Sequence, residues 1–150
     1  MNKFFFLFAA LGLSLSACQD AGLKADIAEI EKYLDNNNLV AESLDSGLHY
    51  IITEEGTGME HPTAASDVNV IYKGYLLDGT VFDQTPANEM SSFNLGNVIE
   101  GWRQGIPLLK AGGKGTLFIP SDLGYGDFQV GPIPAGSVLV FDVELLSFSN

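Results

Sequence analysis

The sequence predicts an α+β domain in which an antiparallel sheet wraps around one short helix. Segments with the two-residue period of β-strands recur from residue 46 to the end of the chain. Only residues 98–104 in that part have a helical pattern, and Gly105 and Pro107 limit it to about two turns. Several strands around a single short helix indicate an α+β arrangement.

The strand-like segments are separated by turn signals. Residues 48–53 form a short β-type run that ends at the glycines of residues 54–58. The alternating run that begins at Val68 is followed by Asp78-Gly79, which predicts a hairpin with residues 80–82. Residues 115–119 and 138–148 have the pattern of two further strands. The last run is apolar on both faces, so we expect it at the centre of the sheet.

A short amphipathic helix is expected before the sheet. It has one apolar stripe, made of Leu23, Ile27, Ile30 and Leu34, and three asparagines at 36–38 end it. Residues 19–67 contain eleven acids and two lysines. We therefore interpret residues 18–45 as an acidic spacer whose helix is solvated, in preference to a helix with a specific docking function. The apolar stripe is also compatible with dimerisation through this helix.

Residues 1–17 have the pattern of a signal peptide. Lys3 precedes the uncharged apolar run 4–15, and small residues follow at 16–18. The run is too short for the roughly 20 residues of a membrane-spanning helix. Residues 15–18 resemble the lipobox of bacterial lipoproteins, which implies lipid attachment at Cys18 and anchoring to a membrane surface. The alternatives are a buried N-terminal helix and a free thiol.

Composition and spacing exclude several classes of function. The chain carries 19 acidic and 7 basic residues, a formal charge of −12, so we expect no nucleic-acid partner. A single cysteine excludes a disulfide scaffold. Residues 112–115 lack the Ser or Thr that follows the lysine of a phosphate loop. Residues 124–126 lack the third glycine of a dinucleotide-binding fingerprint.

We expect neither a metal site nor a cofactor. His49 and His61 lie twelve residues apart, with no helical or hairpin pattern that would bring them together. The chain has no histidine after His61, so the later motifs lack the base of a Ser-His-Asp triad. What remains is a set of aromatic residues without an obvious acid, base or nucleophile.

These aromatic residues belong to a longer pattern. It comprises Val70-x-Tyr72-x-Gly74-x-Leu76-x-Asp78-Gly79-Thr80-x-Phe82-Asp83, Phe93-x-Leu95-Gly96-x-Val98-Ile99-x-Gly101-Trp102-x-x-Gly105, Gly113-x-x-x-Leu117-x-Ile119-Pro120, Leu123-Gly124-Tyr125-Gly126, Ile133-Pro134 and Leu139-x-Phe141-x-Val143-Glu144-Leu145. Over residues 47–147, in order and spacing, the pattern resembles the FK506-binding-protein (FKBP) family of peptidyl-prolyl cis-trans isomerases. The resemblance implies that residues 46–150 form a five- or six-stranded antiparallel half-barrel on one short helix, with an apolar pocket between them.

The resemblance also implies a set of site residues. The expected catalytic residues are Tyr72, Phe82, Asp83, Ile99, Trp102, Tyr125 and Phe141, and the expected substrate-binding residues are Phe93, Val98, Phe128 and Ile133. Trp102 would form the floor under a substrate proline, and Tyr72, Phe82 and Phe141 would form the walls.

The remaining roles concern polar groups. The backbone N–H of Ile99 and the hydroxyl of Tyr125 would hold substrate carbonyl groups. Asp83, the one charged group beside the pocket, would accept a hydrogen bond from Tyr72 and orient it. Rotation about an amide bond breaks no covalent bond, so this chemistry requires no nucleophile or cofactor.

The implied partners are proline-containing, unfolded or partly folded clients in the envelope of a bacterium, and the protein is expected to be a monomer. The segment 126–132 is short and has no histidine, and Phe128 and Val130 predict an apolar preference at the residue before proline. Two alternatives remain: an exported holdase that uses the same pocket without turnover, and a structural lipoprotein.

Overall fold

The computed structural model describes residues 13–150, with side chains from residue 19 onward. Residues 1–12, which contain most of the predicted signal peptide, lie outside the described residues. The chain forms helix α1 (Leu13–Asn36), strands β1 (Glu42–Ser43), β2 (His49–Glu54), β3 (Asp67–Leu76), β4 (Val81–Gln84) and β5 (Ser91–Asn94), helix α2 (Glu100–Gly105), and strands β6 (Lys114–Ile119) and β7 (Leu139–Ser149). Single 3-10 turns lie at Leu95–Asn97, Ile106–Leu108 and Ser121–Leu123.

The described strands form one antiparallel sheet in the order β1-β2-β6-β7-β3-β4, and β5 also pairs with β3. The α+β half-barrel is therefore confirmed, and β7 lies inside the sheet as its two-sided apolar pattern predicted. The sheet has seven strands where the resemblance implied five or six. Two of the seven, β1 and β5, are only two and four residues long, and neither was among the segments predicted as strands.

Strand β3 has two partners along one edge. Its first half pairs with β5 and its second half with β4, with a register shift between Gly74 and Tyr75. The predicted hairpin turn at Asp78-Gly79 is present, and Gly79 has a φ of +88°. Between the two pairings, Thr85 accepts a hydrogen bond from the N–H of Tyr72 through Oγ1, at 3.1 Å. This bond joins the backbone of Tyr72 on β3 to Thr85, the residue directly after β4.

Helix α2 packs on the sheet through glycines. A Cβ on Gly101 would lie 2.5 Å from Cγ2 of Ile119, and one on Gly105 would lie 2.5 Å from Cδ1 of Leu117. Because real Cβ contacts are longer than this, only glycine permits the observed spacing between helix and strand. The spacing lets side chains of α2 reach the main core, whose buried members include Leu48, Val68, Tyr72, Trp102, Leu117, Ile119, Phe141 and Leu145.

Helix α1 packs on a second core cluster. Ile30 and Leu34 are buried with Phe118 of β6, Val140 of β7 and Val138, which directly precedes β7. The amphipathic helix was predicted correctly, but the expectation of a solvated spacer helix was wrong for this part of the chain. The reason is that β6 and β7 are apolar on both faces, so the outer face of the sheet, opposite α2, would expose apolar side chains to water. The apolar stripe of α1 packs on this outer face and buries them.

No helix of the described residues combines the length and the apolar character needed to cross a bilayer.

Candidate active site

A cavity of about 300 Å³ opens between α2 and the sheet. Aromatic side chains from four strands, one helix and one loop supply most of its wall. The described residues that line it are Tyr72, Phe82, Asp83, Phe93, Asn97, Val98, Ile99, Trp102, Tyr125 and Phe141. Among these, Asp83 carries the only charge. The volume is at the small end of the range for ligand sites, about 300–1,000 Å³.

Trp102 is the centre of the aromatic cluster. It lies on α2 and is 4% exposed. Its ring meets those of Tyr72, Phe93 and Phe141 edge to face, with centroid separations of 5.1, 5.3 and 5.3 Å. Such T-shaped pairs place the positive edge of one ring against the negative face of another and hold the rings in defined orientations. The buried indole N–H has no hydrogen-bond partner among the described residues.

One wall of the cavity depends on the absence of a side chain at Gly74. The rings of Phe82 and Phe141 meet at 5.5 Å and 83° above this residue of β3. A Cβ at Gly74 would lie 2.6 Å from the Phe82 ring and 2.7 Å from the Phe141 ring. The glycine of the motif therefore makes room for the two rings.

The polar wall contains two tyrosines and one carboxylate. The hydroxyl of Tyr72 donates a hydrogen bond of 2.6 Å to Oδ2 of Asp83. Burial and, after it, this bond raise the pKa of Tyr72 far above its ordinary value. Burial also raises the pKa of Tyr125, with a smaller contribution from the charge of Asp83. Both hydroxyls therefore stay protonated and remain donors at neutral pH.

Ile99 presents a backbone donor at the start of α2. Its carbonyl accepts the N–H groups of Trp102 and Arg103, at 3.0 and 3.2 Å. Its own N–H has no backbone acceptor among the described residues. The first N–H groups of a helix have no partner within the helix, and Ile99 is one of the residues that line the cavity.

Comparison with known proteins identifies the family. The family model of the FKBP-type peptidyl-prolyl cis-trans isomerases matches residues 58–146. This chain belongs to that family. All the described residues that line the cavity of this FKBP domain lie within the matched residues.

The relatives of this FKBP domain include an isomerase and an outer membrane protein. The chain is 47% identical over 110 residues to the FKBP-type peptidyl-prolyl cis-trans isomerase FkpA of Aeromonas hydrophila, covering 73% of this chain and 41% of that protein. It is 42% identical over 106 residues to the outer membrane protein MIP of Legionella longbeachae, covering 69% and 45%. The chain thus spans less than half the length of these two relatives.

Two solved structures resemble this FKBP domain. The crystal structure of FkpA from Escherichia coli has a TM-score of 0.74 and 38% identity, covering 89% of this chain and 64% of that one. The crystal structure of AtFKBP13 has a TM-score of 0.67 and 34% identity, covering 73% and 99%. The second structure is matched over nearly its whole length, so residues of this chain account for a complete FKBP fold.

The FKBP cavity brings together nine of the eleven predicted site residues. Phe128 and Ile133 lie outside its wall. Phe128 is 76% exposed, and Ile133 is buried in the main core. Val130 and Ile133 form an isolated antiparallel bridge. The wall also includes Asn97, which the sequence reasoning missed, although its position directly before Val98 could have indicated it.

The histidines of the FKBP domain have structural contacts. Nδ1 of His49 lies 2.9 Å from the carbonyl oxygen of Gly47, and Nδ1 of His61 lies 3.0 Å from that of Pro107. Within residues 13–150, no group of three or more His, Cys, Asp or Glu side chains is placed to hold a metal ion.

Proposed function

We propose that this protein accelerates cis-trans rotation about X-Pro bonds in proteins of the bacterial envelope. The observation that carries the proposal is the aromatic cavity, with Trp102 at its centre and a single charged group, Asp83, in its wall. A cavity of this size and polarity suits a proline ring, and membership in the FKBP family supports the same reaction.

The chemistry suits a cavity that has few polar groups. Rotation about an amide bond passes through a twisted state that has lost resonance, at a barrier of about 18–20 kcal/mol. The twisted amide is less polar than the planar one, so an apolar enclosure favours it over the ground state. Lowering the barrier by about 6–8 kcal/mol would accelerate rotation on the order of 10⁴–10⁶-fold.

The site residues have separate roles in this proposal. Trp102 forms the floor under the proline ring, and the rings of Phe82 and Phe141 form a wall. The Ile99 N–H and the Tyr125 hydroxyl donate hydrogen bonds to substrate carbonyl groups and so hold the chain while the bond rotates. Asp83 orients Tyr72 through their hydrogen bond.

The exposed segment after Tyr125 supports a preference for apolar residues before proline. Phe128 and Val130 are 76% and 40% exposed, although large apolar side chains are usually buried. A substrate side chain that lies across this segment would cover them. A measured preference for acidic residues before proline would contradict this part of the proposal.

We also propose that Cys18 carries a lipid, so that the protein is attached to a membrane surface. The support is the lipobox pattern of residues 15–18 and the similarity to an outer membrane protein. In this proposal residues 1–17 are removed, and residues 18–45 link the anchor to the isomerase domain of residues 46–150. Detergent-phase partitioning of wild type and Cys18→Ser tests it, and equal partitioning would exclude lipidation.

The isomerase proposal is tested with a protease-coupled assay on a proline peptide. Asp83→Ala and Phe82→Ala should lower kcat/KM at least tenfold, whereas Glu55→Ala, an exposed acid outside the cavity wall, should match wild type. If wild type and all variants are equally inactive while aggregation of an unfolded client is suppressed, the protein is a holdase and the isomerase proposal fails.

A further inference from the structure

Helix α1 contains a buried carboxylate that the proposed reaction does not use. Asp26 is 8% exposed and is the only buried acid in the part of the chain that the structure describes. Its neighbours on the helix, Glu29 and Glu31, are exposed. A buried carboxylate is costly unless hydrogen bonds compensate for the lost water, so the partners of Asp26 indicate what it does.

Both partners of Asp26 belong to one residue, 95 positions away. Oδ2 of Asp26 accepts the backbone N–H of Ser121 at 2.8 Å and its side-chain hydroxyl at 2.6 Å. Ser121 is itself 7% exposed and begins the 3-10 turn Ser121–Leu123. Asp26 therefore holds the start of this turn from a distant helix.

The same serine holds the loop that carries Tyr125. The carbonyl oxygen of Ser121 accepts the N–H of Gly124 at 2.9 Å and that of Gly126 at 2.8 Å. These glycines flank Tyr125, and Gly126 has a φ of +61°. Glycines leave the backbone free to adopt other conformations. The position of the Tyr125 side chain in the cavity wall therefore depends on how firmly Ser121 is held.

We propose that Asp26 is a positioning residue for Tyr125. It acts through Ser121, so that docking of α1 on the outer face of the sheet sets the position of a hydroxyl group in the cavity on the other side. This inference rests on the proposed isomerase function for its kinetic consequence, but its structural consequence can be measured independently.

The kinetic test compares Asp26→Ala with Asp26→Asn in the wild-type protein and repeats Asp26→Ala in a Tyr125→Phe background. Asp26→Ala should lower kcat/KM on the order of tenfold, less than the ~100-fold that a 1 Å misplacement can cost. The Asn side chain keeps a carbonyl oxygen that can accept both bonds, so Asp26→Asn should retain activity within about threefold of wild type. Adding Asp26→Ala to Tyr125→Phe should cost less than about twofold, because the hydroxyl that Asp26 positions is already absent.

The control for general loosening of the helix is Ile30→Val. It shortens a side chain in the contact between α1 and the sheet but leaves the Asp26–Ser121 contact intact. Its kcat/KM should equal that of wild type at temperatures where the protein is folded. If Asp26→Ala has no effect, or lowers kcat/KM equally in the wild-type and Tyr125→Phe backgrounds, Asp26 has no positioning role.

The structural test is amide hydrogen exchange in the full chain. In Asp26→Ala, exchange at Ser121, Gly124 and Gly126 should accelerate at least tenfold, while exchange in β3 and β7 stays unchanged. Ser121→Ala, which loses the hydroxyl but keeps its N–H, should give an intermediate acceleration at the two glycines. Unchanged exchange at these glycines in both variants would overturn the proposal. If wild type lacks isomerase activity yet the loop loosens, the proposed function fails and the positioning role stands.

Discussion

The hydroxyl of Tyr72 and the carboxylate of Asp83 share a 2.6 Å hydrogen bond across two neighbouring strands of the sheet. Tyr72 is buried on β3, and Asp83 is exposed on β4. Tyr72 also packs edge to face on Trp102. The bond therefore links the one charge of the cavity wall to the aromatic floor.

Removing this hydroxyl tests its role in the cavity. Tyr72→Phe should lower kcat/KM about threefold to tenfold and the free energy of unfolding by about 1 kcal/mol, because a hydrogen bond is lost while the ring remains. Steady-state isomerisation and urea unfolding measure the two effects. The matched control is Tyr75→Phe, which removes a hydroxyl bonded to Asp142 outside the cavity wall. Equal kinetic losses in the two variants would show that the hydroxyl of Tyr72 has no special role.

Stability should fall at alkaline pH because the pKa values of Tyr72 and Tyr125 are raised above 10.0 in the folded protein. Below pH 10 these tyrosines are neutral in the folded and unfolded states, and their contribution is complete. Above pH 10 the unfolded chain loses these protons first, so the free energy of unfolding decreases until pH passes the folded pKa values. Urea unfolding between pH 9 and 11.5 measures the decrease. Tyr72→Phe should have a shallower slope than wild type, and an identical slope would contradict this account.

A methyl group at Gly101 should displace helix α2. The new Cβ would lie 2.5 Å from Ile119, so the helix must move away from β6 and carry Trp102 with it. Gly101→Ala should therefore lower the free energy of unfolding by about 1–3 kcal/mol and also lower kcat/KM. The control is Gly22→Ala in α1, where nothing lies within 4 Å. That change should stabilise the protein by up to about 1 kcal/mol, since alanine favours helices. If Gly101→Ala changes neither the free energy of unfolding nor kcat/KM, α2 can lie farther from β6 without loss.

The packing of α1 on the sheet should contribute measurably to stability. Ile30→Ala removes a fully buried side chain from the cluster around Phe118 and should cost about 2–5 kcal/mol. Lys32→Ala changes an exposed residue of the same helix and should stay within about 0.5 kcal/mol of wild type. Chemical unfolding compares them. If Ile30→Ala behaves like Lys32→Ala, the helix does not support the domain in solution.

The resemblance to the FKBP family implied most of the cavity residues, whereas local signals predicted several of the elements that carry them. The Asp78-Gly79 turn, the glycines around Trp102 and the alternation along β3 each depend on residues close together in the chain. Phe128 and Ile133 were harder to place because they lie in an irregular segment. Ile133 forms an isolated bridge with Val130 and is buried in the main core, and no period of the sequence encodes either feature.

The sequence alone predicted strands β2, β3, β4, β6 and β7, the short helix that carries Trp102, and the amphipathic stripe of α1. Only the tertiary structure decided what covers that stripe. Ile30 meets Phe118 and Val140, on two strands that are apolar on both faces, so composition cannot tell which face receives the helix. The same packing brings Asp26 to Ser121 across 95 residues. Burial contacts between distant segments depend on the assembled surface, which local patterns of hydrophobicity do not specify.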